Sequence, residues 1–317
     1  MVPERRLRRL SWAVLTASMV MSAVLLTVSL LALAVSSVPP ASAREAPARV
    51  RMPIGDDPRV VRARPLPVEN AAPDLNRIIE ETQEELTHRP GDAEVRFRLA
   101  FALEQRGDID RAIQEYLNVI QLAPGHVWAR NNLGVLYAKR GQYDEAIGKF
   151  GEALFRDPQH QTARLNSGLV FLKVGDTEAA LRQFRTLLTI NPKHVEGLIG
   201  LGKAFMEQGE FDQAASQFRE ALAVDPQSSS AQRFLGKALL KKGDIAGAVS
   251  AYQRAAQLRP HDPYVRYELA QALDADGNRA EAVSELRRLL ERPPNDAEGD
   301  AVRGLAEASL RRWGAGP

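Results

Sequence analysis

His126, His160 and His194 stand 34 residues apart. Imidazole is the side chain best suited to bind a metal or carry a proton near neutral pH. Two ligands of one ion, with bonds of ~2.1 Å, must lie within roughly 4 Å of each other. Equal positions in stacked repeats lie much farther apart. Each histidine also follows a proline of the same period, so turn chemistry accounts for all three and no metal is expected. The chain has no cysteine, which removes disulfides, thiolate metal sites, haem attachment, a thiol nucleophile and a lipidated-cysteine anchor. No nucleophile–base set, phosphate loop or metal-ligand cluster can be read from the sequence, so neither catalysis nor a cofactor is expected. Lys and Arg number 42 against 40 Asp and Glu, for a net charge of +2 over 317 residues. A balance this even makes no electrostatic case for nucleic acid. The chemistry that remains is recognition by a surface.

The elements that must build that surface follow from the period. Proline recurs at 90, 124, 158, 192, 226, 260 and 294, glycine at 107, 141, 175, 209, 243 and 277, and alanine at 112, 146, 180, 214, 248 and 282. Three residue types on one step mean a solenoid, whose units bury their apolar faces only by stacking. Six full repeats fit 93–126, 127–160, 161–194, 195–228, 229–262 and 263–296. In the second, Leu133, Leu136 and Tyr137 share one helical face, and Ala146, Phe150, Ala153 and Leu154 share another. Gly141 ends the first helix and Pro158 ends the second or opens the next turn. The spacing predicts two antiparallel helices of about 12–14 residues, with Gly134 and Ala146 small where they approach. A partial repeat over 73–92 carries Leu75, Ile78, Ile79 and Leu86. A closing helix over 297–313 sets Val302, Leu305, Ala306, Leu310 and Trp313 on one stripe.

The pattern Leu133-Gly134, Tyr137, Gly141, Ala146, Phe150 and Asp157-Pro158 resembles the tetratricopeptide repeat, and its six copies cover about two-thirds of the chain. The resemblance implies an all-α, right-handed superhelical solenoid whose concave face, lined by first helices, holds a partner peptide or helix. The sequence departs from the family at its usual first-helix tryptophan, replaced by Arg96, Arg130, Arg164, Leu198, Gln232 and Arg266. Ser167 replaces a usual leucine, and Leu286 a usual aromatic.

Mapped onto the family's groove positions, the N-terminal half offers Phe97, Phe101, Trp128, Asn131, Val135, Leu165, Leu169, Leu172, Ile199 and Met206. The C-terminal half offers Lys203, Arg233, Lys237 and Lys241, with Lys139 and Lys173 near the rim. The implied partner is a protein segment with apolar anchors and acidic neighbours. The family's carboxylate clamp is missing: Arg233 has Lys237 on its next turn where asparagine would be needed. Asn132 and Asn166 stand where asparagine is common for structural reasons.

Ahead of the solenoid lie two further segments. Residues 1–38 place Arg5, Arg6, Arg8 and Arg9 before an uncharged run from Leu10 to Ala43, whose apolar heart is Trp12–Val35. A helix of about 20 such residues crosses a bilayer. The run reads as an uncleaved anchor, or as a signal cleaved after the small-x-small site Ala41-Ser42-Ala43. The clustered arginines favour the N-terminus inside, although Arg44, Arg49 and Arg51 follow the span. Residues 39–72, with seven prolines from Pro39 to Pro67, read as a disordered tether. Two placements result: a bacterial inner-membrane protein with repeats facing the periplasm or exterior, or a periplasmic or secreted one if the signal is cut. The expected function is an envelope scaffold in assembly or secretion. A cytosol-facing membrane receptor or co-chaperone and a self-associating structural protein are the alternatives.

Overall fold

The fold is that of a computed structural model describing residues 74–291 and 297–316. Fourteen helices and no strand occur among them. The N-terminal span and tether expected over 1–72 lie outside the described residues. Within them, no helix is long and apolar enough to cross a membrane. After α1 (Leu75–His88), six hairpins follow: α2 (Ala93–Arg106) with α3 (Ile109–Leu122), α4 (Val127–Lys139) with α5 (Tyr143–Arg156), and α6 (Gln161–Val174) with α7 (Thr177–Ile190). The other three pair α8 (Val195–Gln208) with α9 (Phe211–Val224), α10 (Ser229–Lys242) with α11 (Ile245–Leu258), and α12 (Pro263–Ala275) with α13 (Arg279–Leu290). Helix α14 (Ala297–Arg312) closes the stack.

Each hairpin turns through a glycine in the left-handed region, as at Gly175 with φ +87°. An L side chain is strained there, which is why the turn keeps one residue type at one step. The next helix is started by a side-chain cap. Asp92, His126, His160, His194, Ser228 and Asp262, 34 residues apart, all lie in extended backbone and accept an N–H from the first turn of α2, α4, α6, α8, α10 and α12. The three histidines are therefore helix caps, and the turn chemistry expected of them is this hydrogen bond to Nδ1.

Closeness within a hairpin comes from a ring seated on a glycine. A Cβ on Gly134 would lie 2.7 Å from the Phe150 ring, one on Gly168 2.6 Å from Phe184, one on Gly202 2.5 Å from Phe218, and one on Gly236 3.0 Å from Tyr252. Phe184 is shared between repeats, since a Cβ on Gly200 of the following helix would stand 2.4 Å from it. All four rings are buried. Successive first helices also pack on one another from α4 to α12, whereas successive second helices show no comparable packing. The first helices therefore line the inner side of the curve.

The arginines at the family's tryptophan position are structural. Arg96 donates to Glu115 of α3 at 2.8 Å and to the Pro90 carbonyl at 2.9 Å. Arg266 repeats this with Glu285 and the Pro260 carbonyl, and Arg164 with Gln183 and the Pro158 carbonyl. Arg130 bonds Glu152 at 3.2 Å and the His126 carbonyl at 3.3 Å. Each guanidinium pins the turn before its helix to the second helix of its own hairpin, a two-point task suited to a rigid fork of donors.

The ends are closed differently. Ile79 and Thr82 are the buried residues of α1, with Leu75, Ile78 and Leu86 half-buried beside them. In α14, Val302, Ala306 and Leu310 join the main core, and Trp313 packs against it. Ala180 is fully buried on α7 beside this core. The Ala180→Leu variant is expected to cost at least about 2 kcal/mol through overpacking, read as a lowered melting temperature; an unchanged one would show that the small residue is not required there.

Candidate partner-binding groove

The side chains assigned to the groove divide by burial. Phe97 and Phe101 on α2, Trp128 on α4, Leu169 and Leu172 on α6, and Lys203 and Met206 on α8 are half-buried; on α10 Lys237 is half-buried and Lys241 exposed. Asn131, Val135, Leu165 and Ile199 are buried and face neighbouring helices, not an open groove. Leu165 and Ile199 belong to the main core, and Val135 packs with Ala146, Phe150 and Val170. This corrects their assignment as contact residues: adjacent first helices approach closely enough to cover them.

Asn131 belongs to a buried polar chain. Asn166 donates to its Oδ1 at 3.0 Å, Asn131 donates to Asn132 Oδ1 at 3.1 Å, and Asn132 donates to the Tyr116 hydroxyl at 3.0 Å. Tyr116 in turn donates to Glu104 at 2.8 Å. Burial, with the Glu104 charge second, raises the Tyr116 pKa well above its usual value, which keeps that donor in place. The chain runs through three repeats, so Asn132 and Asn166 have the structural role expected of them.

The aromatic residues of the N-terminal half rest on capping histidines. Phe97 lies 4.6 Å from the His126 ring, and Trp128 meets His160 edge-on at 4.4 Å. Each keeps part of its surface open while one side is held.

Arg233 is not an open cation of the C-terminal half. It forms a bidentate pair with Glu268 of α12, at 2.7 and 2.9 Å. Burial works against its charge, but the hydrogen bond and charge of Glu268 outweigh that and raise its pKa. Its guanidinium also lies 5.2 Å from the Tyr264 ring and 5.6 Å from Phe234. Lys203 stands over Phe234 at 4.2 Å, and Phe234 stacks on Phe218. Among the described residues neither Lys237 nor Lys241 forms an ion pair. Phe234, Tyr264 and Glu268 thus shape this half and were not singled out by the groove mapping. The signal for Glu268 was a step of 35: Arg233 meets Glu268 as Asn131 meets Asn166, across successive first helices.

Residues 131–195 and 199–263 match one family model described as Tetratricopeptide repeat, 239–306 match a second with the same description, and 102–141 match a model described as TPR repeat. No curated protein matches the chain. Among solved structures, the APC/C hetero-tetramer Cut9–Hcn1 is similar with a TM-score of 0.61 and 17% identity, covering 74% of this chain and 46% of that one. The chain thus spans less than half of that relative's length. A tetratricopeptide repeat protein from Parabacteroides merdae gives a TM-score of 0.57 and 20% identity, covering 74% of this chain and 88% of the other. YrrB, a TPR protein with an unusual peptide-binding site, gives 0.50 and 22%, covering 63% and 99%. At these identities the likeness shows the fold alone.

A double-mutant cycle on Arg233→Ala and Glu268→Ala should give a coupling of at least about 1 kcal/mol in thermal or denaturant unfolding, as for a partly buried bidentate pair. Additive effects would mean that the pair contributes nothing to joining the fifth and sixth repeats.

Proposed function

Since the chain belongs to the tetratricopeptide repeat family, with matches spanning 102–306, we propose that it is a protein-interaction scaffold binding a partner segment along its first helices. The observation that carries this is the series of half-buried and exposed side chains on the first helices. Phe97, Phe101, Trp128, Leu169, Leu172 and Met206 are followed by Lys203, Lys237 and Lys241. The partner is a peptide or helix of another protein whose apolar residues meet the first group and whose acidic residues meet the second. Trp128 is the chief anchor, being aromatic and held from one side by His160.

The proposal includes a membrane location. An anchor over 1–38 and a tether over 39–72 would carry a right-handed solenoid over 73–317, on the outer side of a bacterial inner membrane in envelope assembly or secretion. Cleavage near Ala43 would release it instead. The support is sequence alone: four arginines before an uncharged run long enough to span. A cytosol-facing receptor is the second reading, favoured by Arg44, Arg49 and Arg51 on the far flank.

Crosslinking and affinity capture from native cells tests binding, comparing the full-length protein with a Trp128→Ala, Lys237→Glu variant. The variant should lose a small set of partners while its melting temperature stays within a few degrees of the parent's. An unchanged set would place binding on the convex face, the ends or the tether. A reporter fused after Pro317 reads the side of the membrane: activity only outside the cytoplasm is expected, and cytoplasmic activity would establish the second reading.

A further inference from the structure

The three buried side-chain atoms without a hydrogen-bond partner among the described residues belong to one short stretch: His160 Nε2, Arg164 Nε and Asn166 Oδ1. That stretch opens α6, where the apolar core also breaks. One buried cluster runs from Ile79 to Leu136 and another from Leu165 to Leu310. Between them lies a small group of Val135, Ala146, Phe150 and Val170. Beside that small apolar group, the second and third repeats are joined by the buried bond from Asn166 to Asn131.

His160 differs from the other capping histidines. Each accepts an N–H at Nδ1, His160 from Ala163 at 3.1 Å. His126 has Glu94 3.7 Å from Nε2, and His194 has Glu196 3.5 Å from Nδ1, so both have a carboxylate at hand to share an added charge. His160 forms no ion pair among the described residues, and it is the buried one of the three. Against it stand the neutral ring of Trp128 on α4, Asp157 in the preceding turn, and Arg164 on its own helix, which is committed to Pro158 and Gln183. A neutral imidazole accepting at Nδ1 carries its hydrogen on Nε2, where no acceptor is found. A second proton would leave two donors without acceptors, one of them aimed at the Ala163 N–H.

We propose that this joint is an acid-operated hinge, in which protonation of His160 removes the cap of α6, sets a cation at the positive end of that helix, and loosens the third repeat from the second. Burial lowers the His160 pKa from 6.5, with the Asp157 charge opposing. A lowered folded value means that the joint has its full strength above the unfolded value and loses it as pH falls through the folded one. Trp128 leans on the same ring, so acid would also release the main anchor of the groove. That last link rests on the proposed function; the hinge does not.

Hydrogen exchange on the full-length protein in neutral detergent, at about pH 7.5 and about pH 5 and corrected for intrinsic rates, tests the hinge. Protection in α6 should fall by on the order of tenfold more than in α10 and α12, whose caps Ser228 and Asp262 are not imidazoles. His160→Ser, the cap type of α10, should remove the excess loss. If His160→Ser folds poorly, His160→Asp, the cap type of α2 and α12, carries the same comparison. Equal loss in α6, α10 and α12, or an excess that survives substitution of His160, overturns the hinge. An excess removed by His126→Ser or His194→Ser instead overturns its assignment to His160.

Discussion

The stack depends on an aromatic ring lying, in four of its six hairpins, where the facing helix has no side chain. Gly134, Gly168, Gly202 and Gly236 each leave a space that Phe150, Phe184, Phe218 or Tyr252 fills. The ring contributes buried apolar area on the order of 150–250 Å², and the glycine lets two backbones approach to receive it. The approach fixes the angle of the hairpin, and a fixed hairpin repeated every 34 residues fixes the stack. At the ends the residues in the same register change, to Ala100 with Tyr116 in the first repeat and Ala270 with Leu286 in the last. In the last, a larger slot residue stands opposite a smaller partner.

Polar contacts divide the labour with these apolar ones. Arginines at the usual tryptophan position of the first, second, third and sixth repeats hold turns to helices by hydrogen bonds and ion pairs. The buried chain from Glu104 through Tyr116, Asn132 and Asn131 to Asn166 is costly unless satisfied, and one oxygen at its end is not. A solenoid built of nearest-neighbour contacts is only as strong as each joint. Uneven joints let one region yield while the rest of the stack holds, and the joint at His160 combines a core break, unpartnered atoms and a titratable cap.

The fold was legible because each periodic residue has one dominant physical role. Gly141 is at positive φ, Pro158 follows the end of α5, and Gly134 is small because Phe150 occupies its space. The groove was less legible, since exposure on a first helix is decided by the next first helix and not by the periodicity of its own. Asn131, Val135, Leu165 and Ile199 carry groove register, yet their neighbours cover them. Arg233 has the charge of a ligand contact but is paired with Glu268, 35 residues on. The histidines show the same limit: their period pointed to the turn, while the Nδ1 cap and the rings of Phe97 and Trp128 against them depend on rotamers and packing. The remainder, from Phe97 and Trp128 to Lys237 and Lys241, is left half-buried or exposed by its neighbours.

The most direct test of the ring-on-glycine constraint is a double-mutant cycle on Gly134→Ala and Phe150→Leu, read by reversible denaturant unfolding of the full-length protein. Each single change should destabilise, the first by crowding the ring and the second by leaving a cavity. Together they recreate the pairing of Ala270 with Leu286, and the double variant should recover at least about 1 kcal/mol of the summed loss. Strictly additive losses would contradict the account, because slot and ring would then be independent and the 34-residue glycine would need another cause.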